Sequence, residues 1–129
     1  MTVLIDTNVF IWSITGQQSK LSETALRIVE DTRVNLWLSS VSLWEIALKV
    51  GKGKLDLPNN ADFFRTQIAR FYIERVLPVE AAHVLAGFGL PRHHRDPFDR
   101  MLIAQVQVEG IPCVTCDHQF HKYPIQVIW

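Results

Sequence analysis

Val3-Leu4-Ile5-Asp6-Thr7-Asn8 places a short, uninterrupted apolar run directly before a carboxylate and two further polar residues. Such a run is too short and continuous for an amphipathic helix, and it predicts a buried strand over residues 3–6. The residues that follow predict a helix that ends near Gly16. A buried strand followed at once by a helix is typical of α/β folds with a parallel sheet, in which ligands bind just beyond the carboxyl ends of the strands. Asp6 occupies such an end.

Strands and helices are predicted to alternate along the rest of the chain. Further strands are predicted at residues 34–38, 75–79, 111–116 and 125–129. Helices are predicted after Ser22, around Glu45, after Asn59 or Asn60, over residues 80–88, and from Pro97 towards Gly110. This order predicts a three-layer α/β/α sandwich with a mainly parallel sheet of about five strands, formed by one domain over residues 1–129.

Several residues mark where these elements begin and end. Ser22 is a favoured N-cap residue, and Asp96 followed by Pro97 combines a favoured N-cap with a favoured first helical residue. Gly110 is positioned to end the last helix, because glycine readily adopts the left-handed conformation found there. Pro78 within the third predicted strand indicates an edge strand or an early end.

Composition sets broad limits on the class of protein. The 129 residues suffice for one domain, and a hydrophobic content of 48% can supply a core. Lys and Arg number 13 against 13 Asp and Glu, so the net charge argues neither for nor against a nucleic-acid partner. The sequence has neither a long apolar stretch nor a signal-peptide pattern, and we therefore expect a cytoplasmic protein with no membrane association.

Four acidic residues are predicted to meet where these elements end, although they are far apart in the chain. The residues that an α/β fold would bring to one edge of its sheet are Asp6, Glu45, Asp99 and Asp117. Carboxylates repel one another unless a cation joins them, and all-oxygen sites favour Mg²⁺ or Mn²⁺. The pattern therefore predicts a metal-dependent hydrolase that acts on phosphodiesters.

Each of these acids also has an ordinary structural explanation. Asp6 can cap the helix that follows it, and Asp117 is a common turn residue. Glu45 fits a capping box with Ser42, and for Glu45 taken alone this structural function is favoured. Asp99 can be a solvated residue of the first helical turn. The functional interpretation therefore depends on the convergence of all four.

Cysteine and histidine residues near the C-terminus suggest a second kind of site. The residues with the spacing of a small zinc knuckle are Cys113, Cys116, His118 and His121. A strand would direct the two thiols to opposite faces, so small buried hydrophobic residues are the favoured interpretation of the cysteines. His93 and His94, beside Asp96, could transfer protons, but histidines in an exposed loop are more often bystanders, and this is the favoured interpretation.

Five ordered motifs give the chain a resemblance to a known family. They are LIDTN (4–8), SSVSLWEI (39–46), RDPFDRMLIA (95–104), VTCD (114–117) and PIQVIW (124–129). With these motifs the chain resembles the PIN-domain nucleases, and most closely the toxin ribonucleases of type II toxin–antitoxin systems, the VapC family. The resemblance covers essentially the whole chain.

The resemblance implies a function for individual residues. The acidic residues that would ligate Mg²⁺ or Mn²⁺ are Asp6, Glu45, Asp99 and Asp117. Asp96 resembles an additional acidic residue of the subgroup that can join the site. Thr115 matches a small hydroxyl residue that supports a ligand or contacts the substrate phosphate, and Asn8 matches a position that helps order the site.

The resemblance also implies an activity and partners. We expect endonucleolytic hydrolysis of RNA by a homodimeric toxin that a cognate antitoxin protein silences. DNA cleavage stays open, because metal ligands do not distinguish the sugar. A catalytically inactive PIN-like module that binds RNA or protein is the alternative, although an inactive site has no reason to keep mutually repelling carboxylates. The basic residues that could meet RNA phosphates are Lys49, Lys52, Lys54, Arg92, Arg95 and Arg100.

Overall fold

Five parallel strands form the central sheet of the computed structural model, which describes residues 1–129. The strands are β1 (Thr2–Ile5), β2 (Asn35–Ser39), β3 (Ile73–Leu77), β4 (Cys113–Val114) and β5 (Val127–Ile128). They lie in the order β3-β2-β1-β4-β5, and all neighbouring strands are parallel. The chain builds outward from β1 on one side and then on the other, so a topological switch point lies between β1 and β4. The predicted parallel sheet of about five strands is confirmed.

Six helices cover the two faces of this sheet. They are α1 (Thr7–Ile14), α2 (Glu23–Glu30), α3 (Ser40–Gly51), α4 (Ala61–Arg70), α5 (Ala81–Phe88) and α6 (Pro97–Glu109). Two short 3₁₀ helices, Gln18–Lys20 and His118–Lys122, complete the structure. None of the helices combines the length and the apolar character that crossing a membrane requires.

Alternate residues of β1 build two separate cores, one on each face of the sheet. Val3 and Ile5 pack in a cluster with apolar residues of α1 to α4. Leu4 points the other way and packs with α6, α5 and Phe120. Because successive strand side chains face opposite sides, β1, which is buried from Val3 to Ile5, joins the two outer layers into the predicted α/β/α sandwich.

Most of the predicted helix ends are present. The Ser22 hydroxyl accepts a hydrogen bond from the Ala25 amide at 3.0 Å, and Asp96 caps α6, with Pro97 as its first residue. Gly110 ends α6 with φ of +67°, a conformation that costs L-residues with a Cβ about 1–2 kcal/mol.

The strands at the edges of the sheet are shifted or shorter than predicted. The prediction of residues 75–79 for the third strand is wrong by two residues, because β3 ends at Leu77, before Pro78, which cannot donate a ladder hydrogen bond. β3 is an edge strand, as the proline indicates. The last two strands are shorter than residues 111–116 and 125–129, since β4 and β5 run side by side over only two residues each.

Gly110→Ala should lower the free energy of unfolding by about 1 kcal/mol, because the added Cβ meets no neighbouring atom and acts only through the positive φ. Gly87→Ala is the matched control. Gly87 lies within α5 with equally open space around it, so this substitution should leave stability unchanged or raise it by up to about 1 kcal/mol. Urea denaturation of the two variants measures the difference, and equal effects would contradict the assignment of strain to Gly110.

Candidate functional site

Asp6 lies at the carboxyl end of β1 and caps the helix that follows. Its Oδ1 accepts a hydrogen bond from the Val9 amide at 2.8 Å, and only 5% of the residue is exposed. Burial raises the pKa of Asp6 from 3.8 to about 6, although hydrogen bonds from the Thr115 hydroxyl and the Val9 amide oppose the rise. The capping function and a position in a polar site therefore coexist in this residue.

Glu45 is not the capping-box residue that its sequence context predicts. The N-cap of α3 is Ser39, three residues before Ser42, so Glu45 lies in the second turn of the helix. Ser42 is buried, and its Oγ accepts a hydrogen bond from the Thr7 hydroxyl at 2.8 Å. Lys49 Nζ lies 2.8 Å from Glu45 Oε2, whereas Glu45 Oε1 is buried and has no hydrogen-bond partner. This buried oxygen is therefore available to accept a hydrogen bond or to bind a cation.

Asp96 and Asp99 occupy the first turn of α6. Asp96 Oδ1 accepts hydrogen bonds from the amides of Phe98 at 2.8 Å and Asp99 at 3.3 Å, which confirms its capping function. Burial, followed by the charge of Asp96, raises the pKa of Asp99 from 3.8 to about 7. Burial and the charge of Asp96 therefore both disfavour the ionised form of Asp99.

Asp117 follows β4 and caps the second 3₁₀ helix. Its Oδ1 accepts a hydrogen bond from the Gln119 amide at 2.9 Å. Its own amide donates to Thr115 Oγ1 at 3.0 Å, so Thr115 links the Asp117 turn to Asp6. Thr115 is buried and does not line the cavity that these acids share.

The four predicted acids line one cavity of about 120 Å³ at the carboxyl ends of the strands, at the switch point between β1 and β4. Its walls consist of Asp6, Thr7, Asn8, Glu45, Lys49, Asp96, Asp99, Cys116 and Asp117. A larger cavity of about 770 Å³ lies at the opposite edge of the sheet, where β2 and β3 begin. We place the site in the smaller cavity because only there do carboxylates from four elements converge.

His94 was expected to be a bystander, and that expectation is wrong. Its side chain is only 10% exposed, and its Nε2 lies 2.7 Å from Asp117 Oδ2 and 3.3 Å from Asp99 Oδ2. The ring packs edge-on against Phe120, with 5.8 Å between ring centroids. The only feature of the sequence that points to a function for His94 is its position two residues before the Asp96 cap. Phe120, which buries it, is distant in the sequence.

The four residues of the possible zinc knuckle do not lie together as a metal site. Cys113 is completely buried in the core beside Leu4, as expected for a small hydrophobic residue. Cys116 instead reaches the wall of the carboxylate cavity. Only one group of three or more side chains is arranged so that it could hold a metal ion. It consists of His94, Asp99 and Asp117.

Comparison with solved structures finds similar folds over nearly the whole chain. VapBC2 from Rickettsia felis, bound to a DNA fragment from its promoter, has a TM-score of 0.66 and 14% identity, with coverage of 99% of this chain and 98% of the other. FitAcB from Neisseria gonorrhoeae has a TM-score of 0.63 and 16% identity, with coverage of 98% and 96%. A toxin–antitoxin complex from Klebsiella pneumoniae has a TM-score of 0.66 and 16% identity, with coverage of 98% and 96%.

Sequence comparison gives the family directly. Comparison with curated protein sequences finds no match. The family model described as PIN domain matches residues 3–126, a range that includes most of β1, all of β2, β3 and β4, and every carboxylate of the cavity. The chain therefore belongs to the PIN domain family.

Proposed function

We propose that this protein is a Mg²⁺- or Mn²⁺-dependent endoribonuclease and the toxin of a toxin–antitoxin pair. One observation carries the proposal. Carboxylates from four separate elements line one small cavity, and within it the buried Glu45 Oε1 has no partner. Family membership supports nuclease chemistry, and the resemblance of the motifs to toxin ribonucleases supports RNA as the substrate.

The donor set fits a hard divalent cation. The residues that would hold it are Asp6, Glu45, Asp99 and Asp117, all of which offer oxygen. A bound cation would offset the mutual repulsion of these carboxylates and favour the ionised forms of Asp6 and Asp99, whose pKa values burial now raises. When bound, such an ion supplies charge neutralisation at a phosphate and lowers the pKa of water.

The protein's own side chains then provide orientation and proton transfer. Glu45 Oε1 is free to accept a proton from an attacking water, while Lys49 fixes the other oxygen of the same carboxylate. Burial, with the charge of Asp6, raises the pKa of the Cys116 thiol, which disfavours a thiolate nucleophile. Water is therefore the proposed nucleophile. Asn8 is exposed at the rim of the cavity, where its amide can order the site or the substrate.

The proposed partners rest on comparison. The Klebsiella pneumoniae structure is a toxin–antitoxin complex, and the similarity of folds supports an antitoxin partner for this chain. We further propose a cytoplasmic homodimer, as in the toxin family that the motifs resemble. Exposed basic residues that can meet RNA phosphates are Lys52, Lys54, Arg92 and Arg95. A catalytically inactive binding module is the alternative, and it predicts no cleavage under any condition.

Asp99→Asn should abolish both metal-dependent stabilisation and RNA cleavage, because it removes a carboxylate that would hold the cation. Mg²⁺ or Mn²⁺ should raise the melting temperature of the wild-type protein by preferential binding to the native state. Asp56→Asn, which changes an exposed carboxylate outside the cavity, is the control and should behave as wild type.

A thermal-shift series and a cleavage assay on single-stranded RNA, each with and without EDTA, measure these effects. Expression in bacteria should slow growth for the wild type and for Asp56→Asn, but not for Asp99→Asn. Stabilisation by Mg²⁺ that persists unchanged in Asp99→Asn would rule out the proposed site.

Glu45→Gln should lower the rate of RNA cleavage by about 100-fold or more, because a neutral amide cannot take a proton from water. The free energy of unfolding should fall little or rise, since Glu45 is not a cap and its charge is buried. Lys49→Met serves as the comparison, because it removes the partner of Oε2 and leaves the carboxylate in place. Cleavage by Glu45→Gln at the wild-type rate would exclude a catalytic function for Glu45.

The metal-free protein should lose stability as the pH rises from about 4 to about 7. The folded-state pKa values of Asp6, about 6, and Asp99, about 7, lie above the ordinary value of 3.8. The folded protein therefore holds protons that the unfolded chain has released, and stability falls with pH across this interval.

The stability advantage of Asp99→Asn over the wild type should accordingly grow over the same interval. Urea denaturation in EDTA at several pH values measures it. A difference that stays constant from about pH 4 to about pH 8 would contradict the raised pKa of Asp99.

A further inference from the structure

The His94 imidazole is the one side chain of the cluster that is not an acid. We propose that His94 is a positioning residue: its Nε2–H orients the Asp117 carboxylate, with Asp99 beside it, and the ring itself does not ligate the cation. The inference rests on the proposed function, in which Asp117 and Asp99 hold the cation.

The tautomer of the ring follows from a main-chain contact. The Asp96 amide donates a hydrogen bond to His94 Nδ1 at 3.1 Å. A backbone N–H can only donate, so Nδ1 must present its lone pair, and the proton of the neutral ring lies on Nε2. The Nε2–H then faces Asp117 Oδ2 at 2.7 Å, a group that accepts.

This tautomer excludes the ring as a ligand in the observed arrangement. A cation binds an imidazole nitrogen through a free lone pair. The lone pair of Nδ1 is directed at the Asp96 amide, and Nε2 carries a proton. Ligation through Nε2 would require the proton to move to Nδ1, which would set two N–H donors against each other. His94 is therefore a donor to the carboxylates and not a competitor for the ion.

The loop that carries His94 is fixed from two sides. Arg100 Nη1 donates to the carbonyl oxygens of Pro91 at 2.9 Å and His94 at 3.3 Å, and Nη2 donates to that of Leu90 at 3.3 Å. Tyr123 Oη accepts from the His94 amide at 2.8 Å and donates to the Pro91 carbonyl at 2.8 Å. The Arg100 guanidinium is thus committed to this loop, which corrects its expected contact with RNA phosphates.

These contacts matter most for the orientation of the Asp117 carboxylate, because little regular secondary structure holds Asp117 in place. It follows a strand of only two residues. The Gln119 amide restrains its Oδ1, and His94 restrains its Oδ2. With one donor on each oxygen, the carboxylate is held in one orientation and keeps lone pairs for a cation. Hydrogen-bonding partners of metal ligands contribute about 10–100-fold to metal affinity.

Three variants separate orientation from ligation. His94→Phe keeps an aromatic ring against Phe120 and removes both nitrogens, so Mg²⁺ affinity by calorimetry should fall about 10–100-fold. His94→Gln keeps an N–H donor near the position of Nε2 and should restore most of that loss. His93→Gln changes the exposed neighbouring histidine and should bind Mg²⁺ as the wild type does.

Two spectroscopic measurements give readouts that do not depend on activity. Pulsed electron paramagnetic resonance of the Mn²⁺-loaded wild-type protein should show no coupling to an imidazole ¹⁴N. A ¹⁵N spectrum of the metal-free protein should show the proton of His94 on Nε2. The second measurement needs no cation, so it tests the geometry of His94 even if the proposed function fails.

The outcomes are distinct. An imidazole ¹⁴N coupling that disappears in His94→Gln would make His94 a ligand and overturn the proposal. So would a proton on Nδ1, or unchanged Mg²⁺ affinity in a folded His94→Phe. If His94→Phe does not fold, the His94→Gln affinity and the ¹⁵N spectrum still decide. Absence of Mg²⁺ and Mn²⁺ binding in the wild-type protein would instead count against the proposed function.

Discussion

Burial of carboxylates is the constraint on which the rest of this structure depends. Removing Asp6 and Asp99 from water, close to other acids, makes their ionised forms costly and raises their pKa values. At Asp6 the fold offsets part of this cost with a main-chain donor, since Asp6 caps α1. At Asp99 the charge of the neighbouring Asp96, which caps α6, adds to the cost. Glu45 Oε1 receives no such donor. Among the buried side-chain atoms without a hydrogen-bond partner, Glu45 Oε1 is the only carboxylate oxygen, and it lies at the point where the proposed chemistry needs an acceptor.

The parts of this arrangement that sequence could predict are those set by neighbours in the chain. A continuous apolar run identified β1, and the caps at Ser22 and Asp96 are formed by residues within three positions. Pro78 predicted that β3 is an edge strand, because proline has no amide N–H to donate to a neighbouring strand. Convergence of the four acids followed from the rule that parallel strands end at one edge.

The parts that sequence could not predict depend on distant residues. The capping box at Ser42 was wrong because α3 begins at Ser40, directly after β2 ends at Ser39, and nothing in the local sequence marks that boundary. His94 was misjudged because its burial comes from Phe120 and Tyr123, which reach it only through the tertiary fold. The lengths of β4 and β5 likewise depend on their mutual pairing.

Asp96 contributes its side chain and its main chain to different tasks. The carboxylate caps α6 and faces the cavity, whereas the amide N–H sets the His94 ring. Every residue type except proline carries that amide. Substitutions at position 96 could therefore alter the charge of the cavity while the orientation of the neighbouring imidazole stays the same. In evolutionary terms, the charge of the cavity and the orientation of the His94 ring can therefore vary independently through changes at position 96.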